Sequence, residues 1–210
     1  TLPQPWLIKS VLETVNPDII HFHDPWIIST QVRLQKEKNT PCVYTNHGSP
    51  GLFISNSIIQ KGIWKLFTHF ANQTDWTISP TDIVQDILTQ HGLKSAKSVI
   101  SNGINLQEFY PVNLPKKQEI RRKLGWPIDK QIGFYHGRID KDKGLDFLIN
   151  NLPYALKHHP VQIVISGAES PTKKELQKLS KRLEIEERII WTTATGSERV
   201  EQYQAADFFI

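Results

Sequence analysis

Hydrophobic positions along the chain follow two alternating patterns. Short continuous apolar runs, rich in β-branched and aromatic residues and bounded by Pro, Asn or Gly, predict buried strands. Longer segments with apolar residues every three or four positions predict amphipathic helices. The predicted strands cover 18–22, 41–45, 75–79, 97–101, 131–135, 162–166, 188–191 and 207–210. The predicted helices cover 5–15, 25–38, 57–72, 79–92, 117–125, 144–159, 172–184 and 197–206.

This alternation predicts an α/β fold with parallel sheets covered by helices on both faces, because short strand–helix–strand connections join parallel strands. Residues 108–117 contain two Pro and end in two Lys, which is typical of a linker. We therefore predict a first domain over 1–110, a linker over 111–117 and a second domain over 118–210. The chain opens in a predicted helix and closes in a predicted strand, so we expect a piece of a longer protein.

The composition narrows the class of protein. Of the 210 residues, 39% are hydrophobic and 22% are charged, and no apolar run approaches the roughly 18 residues needed to cross a bilayer. The single Cys42 excludes an intrachain disulfide and favours a reducing, cytoplasmic location. Residues 1–110 carry 8 Lys/Arg and 8 Asp/Glu, whereas residues 111–210 carry 17 against 13. This mild surplus in the second half fits an anionic ligand and is too interleaved with acids to indicate nucleic acid.

The segment 57–72 has two alternative interpretations. Lys61 and Lys65 accompany Trp64, Phe67 and Phe70, so an amphipathic helix here could contact a membrane surface. Core packing of the aromatic side chains is the favoured interpretation, because an aromatic stripe at helical spacing ordinarily faces the core.

The stretch HGRIDKDKG, residues 136–144, follows a predicted strand and opens a predicted helix. In open α/β sheets ligands bind off the carboxyl ends of strands, and the N–H groups at a helix start favour an anion. Arg138 offers a planar fork for two phosphate oxygens, and Lys143 adds a mobile positive charge. The alternative is a solvated charged turn, in which Asp140 and Asp142 pair locally with the lysines.

Three more stretches follow predicted strands. In HFHDPW, His21 and His23 point to one side of a strand end, and Asp24 can cap the next helix or line a cleft. TNHGSPG places His47 in a loop, where a plain turn is the alternative. In VISGAE, Gly167 would allow a ligand to approach the main chain, unless it serves only a strand-to-helix turn. No cluster of Cys, His and carboxylates has the spacing of a metal site, so no metal is predicted.

Taken in order, the motifs PDIIHFHDPW, VYTNHG, DWTISPTDIVQDILTQHGL, VISNGINLQEFYP, FYHGRIDKDKGLDFLINNL, VISGAE, ERIIW and VEQYQAADFFI resemble the retaining glycosyltransferases of family 4. The resemblance runs from about Pro17 to Ile210. It implies the GT-B fold, in which two Rossmann-like domains with parallel sheets face each other across a cleft. The C-terminal domain of such enzymes holds a nucleotide-sugar donor, and the N-terminal domain mostly holds the acceptor.

The resemblance also implies residue roles. The family element G-R-x-x-x-x-K-G matches Gly137, Arg138, Lys143 and Gly144, and its Arg and Lys clamp the donor diphosphate. The element H-x-H-[DE]-P matches the stretch 21–25, where its second His faces the reacting sugar.

By the same resemblance, His47 falls on the T-x-H-G loop that lines the cleft, and the family's GDGP loop reads Gly167-Ala168-Glu169-Ser170, without its Asp. The family's N-G-V-D also differs, as it reads Asn-Gly-Ile-Asn at 102–105. The family's glycine-rich loop and its E-x7-E element lie outside these 210 residues, so we expect the isolated polypeptide to be inactive.

The function implied is transfer of a sugar, with retention and without a metal or cofactor, from a UDP- or GDP-sugar to a hydroxyl acceptor. The acceptor could be a sugar, a lipid-linked molecule or another alcohol, and the enzyme would be cytoplasmic with peripheral contact to the inner face of the membrane. Two alternatives remain open: a non-catalytic nucleotide-sugar-binding module or partner subunit, and a GT-B sugar-nucleotide epimerase.

Overall fold

The computed structural model describes residues 5–23, 27–35, 39–47, 57–157 and 159–210. The chain divides into two compact units, 1–103 and 104–210. The predicted linker at 111–117 lies inside the second unit, and its last residues are helical. A helix begins there at Leu114, because the Asn113 side chain accepts a hydrogen bond from the Lys116 N–H, 3.0 Å away, and thereby caps the first turn.

The first unit alternates helices and strands around one parallel sheet. Its elements are α1 (Pro5–Val15), β1 (Ile20–His23), α2 (Ile27–Gln35), β2 (Cys42–Thr45), α3 (Ser57–Ala71), β3 (Trp76–Ser79), α4 (Asp82–Gln90) and β4 (Ala96–Val99). The strands lie in the order β1-β2-β3-β4, and all neighbours are parallel. Because parallel crossovers are right-handed, this sequential order places the connecting helices on the same face.

The core of the first unit lies between the sheet and these helices. Phe22 and Tyr44 from the sheet pack with Trp64 and Phe70 of α3 and with Leu88 of α4. The aromatic stripe of α3 therefore faces the core, as the favoured interpretation predicted. On the opposite face of the sheet, Trp76 remains 44% exposed, so the predicted cover on both faces is not reproduced by the described part of this unit.

The second unit is a doubly wound α/β structure. Its elements are α5 (Leu114–Leu124), β5 (Gln131–His136), α6 (Leu145–Leu156), β6 (Val161–Ser166), α7 (Pro171–Arg182), β7 (Ile189–Thr192), α8 (Gly196–Ala205) and β8 (Phe208–Phe209), with short 3-10 turns at Lys141–Lys143 and Glu186–Arg188. The parallel strands lie in the order β7-β6-β5-β8. Helices α6 and α7 cover one face, and α5 and α8 cover the other.

An ion pair between the buried Arg121 and the exposed Asp207 holds the last strand of this unit. Arg121 of α5 is 3% exposed, and its guanidinium donates to Asp207 (2.6 Å), to the carbonyl of Ala205 (2.8 Å) and to that of Lys130 (3.1 Å). Asp207 also accepts from the N–H of Ile132 at 2.8 Å. The carboxylate thus joins α5, β5 and the start of β8.

A bilayer-spanning helix was not predicted from the sequence. Within the described ranges, each helix is too short or too polar to cross a bilayer.

Candidate functional site

The strand order of the second unit reverses between β5 and β8. The chain runs outward from β5 to β6 and β7, then returns through α8 to place β8 on the other side of β5. In open α/β sheets, ligands bind in the crevice off the carboxyl ends of the strands at such a reversal. The loop of residues 137–144, which leaves the carboxyl end of β5, is therefore at the position where a ligand is expected.

The loop begins with a tight turn at Gly137. The Gly137 N–H donates to the carbonyl of Ser166 (3.0 Å), and the Tyr135 hydroxyl donates to the carbonyl of Arg138 (2.7 Å). A Cβ atom at residue 137 would lie 2.9 Å from the Tyr135 Oη. A larger residue here would require the Tyr135 side chain to shift.

Gly167 leaves the next strand and packs against the same turn. An added Cβ would lie 2.4 Å from the Gly137 carbonyl oxygen and 2.8 Å from Cγ1 of Ile139. The sequence suggested that this glycine makes room for a ligand. In the structure the space that a Cβ would take is filled by the neighbouring turn, so the contact between the two loops by itself requires a glycine. An approach of a ligand to its main chain stays a prediction.

The two predicted clamp cations lie in this loop, and both pair with carboxylates. Arg138 has a side chain that is 74% exposed, and its Nη1 lies 2.9 Å from Oδ2 of Asp140. Its Nη2 lies 3.7 Å from Oδ2 of Asp142, which in turn lies 3.2 Å from Nζ of Lys143. The hydrogen bond from Lys143 chiefly lowers the pKa of Asp142, and the charge of Arg138 adds to this. Local pairing, the alternative weighed from the sequence, is thus present, with Arg138 as a principal partner.

Gly144 joins this loop to α6. It has a φ of +66°, a left-handed conformation that glycine adopts without strain, and α6 begins at the next residue. The first N–H groups of α6 have no carbonyl partner within the helix. The positive end of a 12-residue helix therefore follows Lys143 directly.

The turn after β6 contains a buried lysine that the sequence analysis did not single out. Lys173 is 3% exposed, and its Nζ donates to the carbonyl of Gly167 (3.3 Å) and to Glu169 (2.5 Å). Ser170 donates to the carbonyl of Ile139 (2.8 Å) and accepts from the Lys173 N–H (3.0 Å). The i,i+4 spacing of Glu169 and Lys173 was the available signal. These bonds fix the turn against which the Gly137 loop packs.

His136 is a second residue that the sequence analysis passed over. It ends β5, and its Nδ1 lies 3.2 Å from the Ser166 Oγ. Burial chiefly lowers the pKa of His136, and the positive charge of Arg199 lowers it further. Both effects favour the neutral form of this imidazole.

In the first unit, the structure brings the predicted histidines together. His23 ends β1 and His47 follows β2, and these neighbouring parallel strands place Nδ1 of His23 2.6 Å from Nε2 of His47. Nε2 of His21 lies 2.7 Å from the Thr45 hydroxyl. Burial first, and then the charges of the other two histidines, lower the pKa of His21. His23 and His47 are exposed at the carboxyl edge of the sheet, where they can donate and accept hydrogen bonds.

The remaining predicted site residue, Asp24, lies outside the described residues. Within the ranges that are described, no group of three or more His, Cys, Asp or Glu side chains is arranged to hold a metal ion.

Comparisons with known proteins match both units. The sequence model of Glycosyltransferase Family 4 matches residues 1–108, and that of Glycosyl transferases group 1 matches residues 116–210. An alpha-monoglucosyldiacylglycerol synthase of Streptococcus pneumoniae is 28% identical over 207 residues, which cover 92% of this chain and 46% of the relative. A GDP-mannose-dependent alpha-mannosyltransferase of Corynebacterium glutamicum is 24% identical over 211 residues, which cover 97% of this chain and 47% of the relative.

The chain covers only part of the length of these relatives. It spans about half the length of the curated relatives it matches. Among solved structures, Anabaena Alr3699/HepE in complex with UDP-glucose matches with a TM-score of 0.77 and 19% identity, over 99% of this chain and 57% of that protein. At this identity the likeness establishes the fold. The α/β class with parallel sheets, predicted from the alternating pattern, and the two Rossmann-like units, implied by the resemblance, are confirmed.

Proposed function

The chain belongs to Glycosyltransferase Family 4, and we propose that it transfers a hexose from a nucleoside-diphosphate sugar to a hydroxyl acceptor with retention of configuration. One observation carries the proposal. Arg138 and Lys143 lie in the loop that leaves β5 at the strand-order reversal, directly before the positive end of α6. This is where an anionic ligand of a doubly wound sheet is expected to bind.

Arg138 and Lys143 form a clamp for the donor diphosphate. As the sugar leaves, negative charge develops on the diphosphate, and cations already in place stabilise it more than they stabilise the ground state. The Arg138 fork can bind two phosphate oxygens, and Lys143 supplies a compact charge. Because the protein itself supplies the positive charge, the proposed reaction is independent of a metal ion.

His23 and His47 bind hydroxyl groups of the reacting sugar. The two rings meet through a 2.6 Å hydrogen bond at the exposed carboxyl edge of the first sheet. Imidazoles at such an edge can exchange hydrogen bonds with a sugar. No protein nucleophile is assigned.

The named relatives support a substrate class. One solved neighbour binds UDP-glucose, and one relative is named for GDP-mannose, so the proposed donor is a UDP- or GDP-hexose. Another relative is named as a diacylglycerol glycolipid synthase, which supports a lipid-linked acceptor.

A lipid-linked acceptor requires contact with a membrane surface, and α3 offers one. With its aromatic residues in the core, α3 turns Lys61, Lys65 and Leu66 outward, and its sequence contains no Asp or Glu. Leu66 is 58% exposed. An apolar side chain beside two lysines, with no acid in the helix, suits an anionic bilayer surface. Peripheral contact at the cytoplasmic face is part of the proposal.

Transfer assays test the proposed reaction. The full-length protein is incubated with UDP-glucose or GDP-mannose and with diacylglycerol vesicles, in the presence and absence of EDTA, since the 210 residues alone are expected to be inactive. The expected result is an α-linked product from the α-linked donor, assigned by NMR, with a rate that EDTA leaves unchanged. A β-linked product contradicts retention, and loss of activity with EDTA contradicts metal independence. Donor binding without transfer identifies a non-catalytic binding module instead.

A further inference from the structure

We propose that Asp140 and Asp142 are competing counterions of the clamp and set its affinity for anions. In the free protein they occupy the sites on Arg138 and Lys143 that a diphosphate would take, and they exchange with its oxygens on binding. The inference rests on the proposed donor site, because it requires that Arg138 and Lys143 bind the ligand. Arg138 and Lys143 bind the diphosphate, whereas the two carboxylates compete with it.

The guanidinium of Arg138 faces two carboxylates. A guanidinium binds a phosphate bidentately through two adjacent nitrogens. In the structure Nη1 faces Asp140 at 2.9 Å, and Nη2 faces Asp142 at 3.7 Å. The terminal edge of the fork is thus directed at two carboxylates, and a phosphate that uses this edge must displace them.

Asp142 lies close to both clamp cations. Its Oδ2 lies 3.7 Å from Nη2 of Arg138 and 3.2 Å from Nζ of Lys143. One carboxylate oxygen therefore lies between both clamp cations, where an oxygen of the bound diphosphate is expected.

Asp140 does not cap the turn beside it. It occupies the N-cap position of the 3-10 turn Lys141–Lys143, yet its side chain makes no capping hydrogen bond there. An aspartate at such a position ordinarily caps the turn. Here the carboxylate is directed to Arg138 instead.

A diphosphate can replace the carboxylates because the paired side chains are exposed to solvent. The Arg138 side chain is 74% exposed and that of Asp140 is 41% exposed. Exposed ion pairs shift an equilibrium by no more than about fivefold, because water and salt screen them. A diphosphate, which carries more charge than either carboxylate, can replace them. The same comparison predicts that removing a carboxylate tightens binding by about two- to fivefold.

A preorganising role would have the opposite sign. If the carboxylates instead held Arg138 and Lys143 in the binding geometry, their removal would loosen the clamp and weaken binding. The direction of the change therefore distinguishes the two roles.

Calorimetric titration with inorganic pyrophosphate tests the inference on the full chain at about 0.15 M salt. Asp140→Asn and Asp142→Asn are each expected to lower the Kd by about two- to fivefold. Asp146→Asn is the matched control, since it removes the same charge from the first turn of α6, and no ion pair of Asp146 occurs among the described residues. Its effect is expected to stay below about twofold because the charge is screened. Equal tightening by all three variants would overturn the inference, because it would indicate a general field effect.

A double-mutant cycle supplies the second readout. In an Arg138→Ala/Lys143→Ala background, Asp142→Asn is expected to have no more effect than Asp146→Asn, because the carboxylate acts only through these cations. Persistent tightening in that background contradicts the inference, as does weakening in the wild-type background. If the Arg138→Ala/Lys143→Ala change itself leaves pyrophosphate binding intact, the donor-site assignment fails. If that change weakens binding while Asp142→Asn has no effect, only the counterion role fails.

Discussion

At the scale of single residues, Gly167 is the position where the candidate site tolerates least change. Its Cα approaches the neighbouring turn so closely that a methyl group would meet the Gly137 carbonyl oxygen at 2.4 Å. That oxygen belongs to the backbone and cannot rotate away. The two loops at the carboxyl edge of the second sheet therefore depend on each other.

We expect Gly167→Ala to lower the free energy of unfolding by about 1–3 kcal/mol, because the loops must separate to admit the Cβ. Urea unfolding followed by circular dichroism measures this. Gly62→Ala is the matched control, since an added Cβ there meets nothing within 4 Å in an exposed turn of α3. It is expected to stabilise by about 0.5–1 kcal/mol. A Gly167→Ala chain as stable as wild type would show that the loops are not in this contact.

The sequence was sufficient to place Arg138 and Lys143 at a strand end, because a short continuous apolar run stops just before them. It also indicated the pairing of loop charges as an alternative. It did not indicate that Gly167 touches Gly137, because that contact joins loops 30 residues apart in sequence. Nor did it assign the buried Lys173, whose partners are set by how the β6–α7 turn folds.

At the scale of elements, the ion pair of Arg121 and Asp207 connects α5 to the last strand. Burial alone would raise the pKa of Asp207, but hydrogen bonds from the Ile132 N–H, Lys117 and Arg121 lower it overall. The folded state therefore holds this carboxylate ionised more firmly than the unfolded chain does. Its contribution to stability is fully present above the unfolded pKa of about 3.9, and is lost as the pH falls through the lower folded value.

We expect Asp207→Asn to cost about 1–3 kcal/mol of unfolding free energy at pH 7, because the charge-assisted hydrogen bonds from Arg121 and Lys117 to this side chain are lost. The difference from wild type should shrink as the pH is lowered below about 4. Urea titrations at several pH values measure the loss of unfolding free energy and its dependence on pH. Asp129→Asn, at an exposed position, is the control. A cost that does not depend on pH would exclude the ionised carboxylate as its source.

Helix α3 permits a second test at this scale. If its outward lysines contact an anionic bilayer, Lys61→Gln/Lys65→Gln should weaken binding to phosphatidylglycerol vesicles by at least about tenfold, since each lysine contributes about 1 kcal/mol near such a surface. Vesicle co-sedimentation measures the change. Lys174→Gln/Lys178→Gln on α7 removes the same charges at the same i,i+4 spacing and should have a smaller effect. Equal losses would assign the binding to net charge and not to α3.

The elements themselves were largely predictable, because their hydrophobic periods are regular. Each predicted strand and helix has a counterpart in the structure, and where the predicted ends fall on described residues they differ by a few residues. Both ends of the predicted helix 25–38 lie outside the described residues. The sheet faces that the helices cover were less predictable. The helices α2, α3 and α4 share one face of the first sheet because its strands follow one another in order, whereas the second sheet reverses and is covered on both faces. A sequence with uniform alternation does not specify which of these two orders occurs.

At the scale of the whole molecule, the two units have different candidate roles. The second unit has the strand-order reversal, the clamp loop and a start of α6 suited to an anion. The first unit has paired imidazoles at its sheet edge and a basic outward face on α3. The motif order across both units predicts the family, and the family models match both units in that order.

The central claim is that the loop after β5 binds the donor diphosphate through Arg138 and Lys143. The most direct test is calorimetric titration of UDP and GDP into the wild-type chain and into Arg138→Ala, Lys143→Ala and Lys141→Ala. Lys141 is the matched control, because it is an exposed lysine of the same loop. The account predicts that Arg138→Ala and Lys143→Ala each raise the Kd by about tenfold or more, whereas Lys141→Ala changes it by less than about twofold. An unchanged Kd for Arg138→Ala, or an equal loss for Lys141→Ala, would contradict it.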